Sequence, residues 1–187
     1  YSGGPPRIVL SARAGASERA LLAHELTHHF MAGAFWRQPR WLSEGLAVYM
    51  EALGEDDPRD DMLHLGGIPT MRLARAREGL VPVRELLAWE QDPGRRLTLE
   101  YYATSWVLVH WLMQRRPEAL AEIERRLAAG EDPLDAWSAA LPDYRPDHGT
   151  ALEGLDLVLT QYVVYQIVGL SKEVPVPPAV GYFERPM

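Results

Sequence analysis

Two histidines four residues apart, His24 and His28, with Glu25 directly after the first, form the densest group of chemically capable side chains in the sequence. In a helix, residues i and i+4 lie one turn above each other on the same face, so both imidazoles can reach one cation. Glu25 is displaced around the helix and can reach a water beside that cation. Such a pair also arises by chance on solvated helix faces, so the pattern gains weight only from neighbours that complete it. A catalytic zinc site takes three protein ligands and leaves a fourth place for water. The chain has no cysteine, which excludes thiolate zinc sites, disulfides and a cysteine nucleophile, and leaves His, Asp and Glu to supply the third ligand.

The elements around this group read as helices. Ser17 can cap a helix running to about Ala32, because Glu18 follows it and Leu21, Leu22, Leu26 and Phe30 recur at helical spacing. Leu26 and Phe30 are expected to face away from the histidines into the core. Pro39 separates this helix from a second over about Arg40 to Leu53, and the turn between them, with Gly33 and Pro39, allows a hairpin. Ile8, Val9 and Leu10 within Arg7 to Ala12 fit a short strand before the first helix. Pro58 to Thr70 reads as a loop, followed by shorter helices at Met71 to Arg77 and Val83 to Trp89. A long, largely apolar helix spans Thr98 to Arg116, and Pro117 can open the next, to about Ala129. Asp132 and Pro133 start another helix toward Leu141. Thr150 to Gly169 reads as helix in preference to strand, and the tail from Val174 as extended.

The run His24 to Glu51 resembles the peptidase MA-like gluzincins, relatives of the thermolysin-type and aminopeptidase families. A metzincin pattern would need a glycine and a histidine where Met31 and Ala34 stand. The gluzincins instead pair two histidines with a glutamate from a following helix, in a tryptophan-rich segment ending in Glu-Gly. The resemblance therefore implies zinc held by His24, His28 and Glu44, the last within Trp41-Leu42-Ser43-Glu44-Gly45, with Glu25 as general base. The 15 residues between His28 and Glu44 match the shorter members of the group. No Gly-x-Met-Glu-Asn run is present, so aminopeptidase specificity is not implied. Tyr101 to Leu112 is similar to the helix that follows the metal site in these families, where a tyrosine can donate to the oxyanion. Aligning the run with that helix by its aromatic and aliphatic positions puts Tyr102 there, with Tyr101 as the other candidate. The resemblance covers residues 8 to 115 and implies a mainly α (α+β) fold, a helical zincin-like core with a short N-terminal strand or small sheet beside the active-site helix. The expected function is zinc-dependent hydrolysis of peptide bonds in a peptide or protein substrate. The rival is a non-catalytic, peptidase-like binding or scaffold domain that keeps the metal.

At 187 residues and 47% hydrophobic, the chain suits one domain over residues 1 to 170 with a proline-rich tail over 171 to 187. A formal charge of -7, with Lys172 as the only lysine beside 18 arginines, offers no basic stripe for nucleic acid. The first residues lack the basic and apolar regions of a signal peptide, and Leu155 to Leu170 is too short to cross a bilayer, so a soluble protein of undetermined compartment is expected. That stretch would suit a homo-oligomer interface in the C-terminal region. The other candidates have plainer readings. His29 lies about 100° around the helix from His28, off the ligand face. His110 reads as a buried, hydrogen-bonded histidine, His64 and His148 as loop residues, and Glu51, seven after Glu44, as part of a solvated face in preference to a support behind a ligand. Most of the six tryptophans read as core. The acidic run Glu55 to Asp57, with Asp60 and Asp61, lacks calcium-loop spacing.

Overall fold

The computed structural model of the chain describes residues 15–35, 37–52, 62–90, 95–167 and 172–175. The fold is mainly helical. Helix α1 spans Ala16–Ala34, α2 Arg40–Met50, α3 Thr70–Glu78, α4 Val83–Leu87, α5 Arg95–Arg115, α6 Pro117–Ala128, α7 Pro133–Ala140 and α8 Ala151–Gln161. A π-helical turn, Tyr162–Gln166, extends α8. Prolines set several of these boundaries. Pro117 and Pro133 sit in first turns, where a missing N–H costs nothing. Asp132 caps α7 by accepting from the Leu134 N–H at 2.9 Å.

The core is built around α5. Residues 103–112 are buried without interruption because other helices pack around them, α2 and α3 among them, and the run is apolar apart from Thr104, Ser105 and His110. Trp106 and Leu108 are fully buried, and Trp41 packs edge-on against Trp137 at 5.6 Å. Of the six tryptophans, Trp41, Trp89, Trp106, Trp111 and Trp137 are core, while Trp36 lies outside the described residues. His110 is buried and its Nδ1 lies 2.7 Å from the Tyr162 hydroxyl; burial lowers its pKa to about 4, which keeps it neutral.

Gly45 fixes how closely α2 approaches α5. A Cβ built there would lie 2.6 Å from the Ser105 carbonyl oxygen and 2.6 Å from Val109 Cγ2, so only glycine allows the two backbones this spacing.

Several expectations are revised. The cap of α1 is Gly15, whose N–H donates to the Glu18 carboxylate at 2.9 Å, and Ser17 falls inside the first turn. The stretch read as loop from 58 to 70 contains a strand, β1 (Met62–Leu65), antiparallel to β2 (Lys172–Pro175), with Met62 opposite Pro175 and Leu65 opposite Lys172. The start of the tail is thus tied back into the fold. The strand expected at Arg7 to Ala12 and the acidic run from Glu55 to Asp61 lie outside the described residues.

The apolar face of α1 is also turned the other way. Phe30 is 69% exposed and Leu21 59%, and Leu26 is only half-buried. His24 and Met31 are the buried positions. The inward stripe of α1 is therefore the face that carries His24 and His28, and polar side chains occupy positions that would otherwise carry core residues. Among the described residues no helix is long and apolar enough to cross a membrane.

Candidate metal centre

Helices α1 and α2 form the expected hairpin. His28 meets Ser43 near the start of α2 and His24 meets Glu51 just beyond its end, so the two helices run antiparallel. His24, His28 and Glu44 come together between them. The two Nε2 atoms are 3.1 Å apart, and Glu44 Oε2 lies 3.6 Å from His24 Nε2 and 3.4 Å from His28 Nε2. Tetrahedral zinc with ligand bonds of about 2.0 to 2.2 Å needs its donor atoms about 3.3 to 3.6 Å apart. The triad is close to that spacing as it stands, with the two imidazole nitrogens slightly nearer to each other.

Two further features suit a cation. Glu44 Oε2 is buried and makes no hydrogen bond, a costly condition for a carboxylate oxygen unless something positive completes it. Both rings also present Nε2 to the common point while Nδ1 is held from behind: His24 Nδ1 lies 2.8 Å from Glu51 Oε1, and His28 Nδ1 2.9 Å from Ser43 Oγ. Histidines that ligate a metal are oriented in this way by partners on the opposite nitrogen.

The electrostatics agree. Burial by itself would lower the pKa of His24, but the Glu44 and Glu51 carboxylates beside it outweigh burial and raise it to about 9. Burial would raise Glu44, yet the two imidazoles hold it at about 2. Glu51 is lowered as well, by His24 and Arg72 acting against burial. The two carboxylates thus hold a proton on His24.

The remaining predicted residues fall as follows. Glu25, next to His24 on α1, is exposed and makes no hydrogen bond or ion pair among the described residues. Tyr102 on α5 stands edge-on to the His24 ring at 6.4 Å, whereas Tyr101 packs on Trp89 at 4.9 Å and lies near Glu85. The structure thus sets Tyr102 beside the triad. His29 is exposed, its ring against Phe30.

Glu51 departs from the solvated reading. Besides His24 it accepts from Arg72 on α3 at 3.2 Å, and Arg72 in turn lies over the Tyr102 ring at 5.4 Å. Glu51 stands seven residues after Glu44, two turns along the same face, so the spacing did carry a signal. Ser43 and Arg72 carried none.

The chain belongs to the family described as "Protein of unknown function (DUF1570)", whose model matches residues 18–135. That stretch contains every residue named in this site, from His24 to Tyr102. No curated protein and no solved structure matches the chain.

Proposed function

We propose that the chain is a zinc-dependent peptidase in which His24, His28 and Glu44 hold the metal within a zincin-like helical core. The observation that carries the reading is the buried, unsatisfied Glu44 Oε2 facing two Nε2 atoms near tetrahedral ligand spacing. Zinc would lower the pKa of a water and polarise a scissile carbonyl. Glu25, uncommitted and one residue from His24, takes the proton from the attacking water and returns it to the leaving amine. Tyr102 donates its phenolic hydrogen to the oxyanion as the carbonyl becomes tetrahedral. Glu51 and Ser43 keep the imidazoles turned toward the metal, and Gly45 sets the α2–α5 spacing on which the position of Tyr102 beside the triad depends.

The test combines elemental analysis with a peptide-cleavage assay, with and without chelator. Glu25→Gln is expected to keep stoichiometric zinc and lose hydrolysis. His24→Ala, His28→Ala and Glu44→Ala are expected to lose zinc, and a metal-replete His24→Ala protein would contradict the assignment. Zinc at full occupancy with no peptide cut would favour the binding or scaffold domain instead. Exposed Leu157, Val164 and Tyr165 also favour an interface between copies through the C-terminal region, for which a strict monomer by light scattering is the adverse result.

A further inference from the structure

A cleft of about 350 Å³ opens between the first turns of α1, the end of α2 and the start of α3. It adjoins the triad in two ways. Ala20, on its wall, stands one turn before His24 in the row Ala20, His24, His28, so the cleft continues the line of the ligands along α1. Glu51 lines it as well, while its carboxylate holds His24. The small Ala20 leaves room there, and apart from Glu51 and Arg72 the wall is uncharged, with Ala52, Pro69, Thr70 and an 81% exposed Met71.

Among the described residues the single cation of this cleft is Arg72. Its one hydrogen bond among them is to Glu51, from one terminal nitrogen, and the Tyr102 ring supports its plane. A guanidinium has five N–H donors in a fixed fork, so donors remain for a second acceptor. Carboxylates and phosphates both match that fork, and of the two a peptide substrate carries the carboxylate. One helical turn is about 5.4 Å and an extended peptide advances about 3.3 Å per residue. A group seated at Ala20 is therefore one to two residues from a bond held at the triad.

We propose that this cleft binds a carboxylate of the substrate, one or two residues from the scissile bond, with Arg72 as its cation. The inference rests on the peptidase reading and adds the substrate class to it. The carboxylate is either an Asp or Glu side chain or the free end of the peptide, and these two sources predict different cleavage patterns.

The test uses the zinc-loaded full chain and paired peptides. In one arm, blocked peptides carry Glu or Gln at each position around the cut. In the other, neutral peptides differ only in a free or amidated C-terminus. Acidic peptides of one arm are expected to exceed their neutral partners about tenfold in kcat/KM, at a single position. In Arg72→Gln that ratio is expected to fall to near one, and in Arg72→Glu a Lys peptide is expected to overtake the Glu peptide. Because each comparison is a ratio within one protein, general damage to the metal site does not imitate it. Binding of the same pairs to zinc-loaded Glu25→Gln protein, read by fluorescence anisotropy, is expected to show the same preference without turnover. Cleavage with no acid preference in either arm, or a preference that survives Arg72→Gln, overturns the subsite and leaves the peptidase reading standing. No cleavage of any peptide removes both.

Discussion

His24 shows most directly how its surroundings set the chemistry of a side chain. With its pKa raised to about 9, the imidazole in chelator-stripped protein carries a proton at neutral pH that zinc must displace. Zinc binding at pH 7.5 is therefore expected to release about one proton from this site, and affinity to rise about tenfold per pH unit until pH 9 is reached. Calorimetry in buffers of different ionisation enthalpy reads that proton directly, and zinc uptake with no proton released would refute it. Glu51→Gln keeps the shape but replaces the carboxylate behind Nδ1. The expected cost is about 10 to 100-fold in zinc affinity, measured by competition with a chromophoric chelator. A variant with unchanged affinity would return Glu51 to the role of a solvated surface charge.

Among the elements, the contact between α2 and α5 decides the most. Replacing glycine by alanine inside a helix normally stabilises by about 1 kcal/mol through propensity. At Gly45 the new methyl would sit 2.6 Å from a backbone oxygen, and relieving such an overlap costs about 1 to 3 kcal/mol. The steric effect wins, and Gly45→Ala is expected to lower stability by urea unfolding and to weaken cleavage as α5 shifts Tyr102 away. Gly33, where an added Cβ would meet nothing within 4 Å, is the control: Gly33→Ala should be neutral or stabilising. The orientation of α1 belongs to the same scale, since its inward stripe carries His24 and His28 while its larger apolar residues, Leu21 and Phe30, are left outside.

For the whole molecule, the triad ties stability to pH and, under the proposed function, to metal. The folded His24 value of about 9 lies above its ordinary 6.5, so its contribution is complete below pH 6.5 and lost as pH rises through 9. Glu44, at about 2 against an ordinary 4.5, contributes fully above pH 4.5 and loses that contribution as pH falls through 2. Chelator-stripped protein should therefore be most stable between pH 4.5 and 6.5 and lose Tm toward pH 9. Zinc at 1,000 times its Kd should add about 4 kcal/mol and flatten the alkaline side, as the metal takes the place of the proton. Scanning calorimetry with and without zinc across that range tests both statements, and an alkaline limb unaffected by zinc would count against the site.

Local pattern was enough to identify α1, α2 and α5, the convergence of the triad and the burial of His110, because each is written in spacing along a single helix or in the resemblance of one contiguous run. Turning α1 was beyond it: apolar periodicity pointed Phe30 inward, and only packing against α2 shows that the two histidines take that face. β1 could not be read either, since its partner β2 lies more than a hundred residues away and strand pairing leaves little local trace. Ser43 and Arg72 became part of the site through neighbours on other helices, and Glu51 became a support for His24 rather than a surface charge for the same reason. The resemblance alone prefers Tyr102 to Tyr101, whereas which of the two rings stands near His24 is set by the rotation of α5 about its axis, which depends on what surrounds the helix.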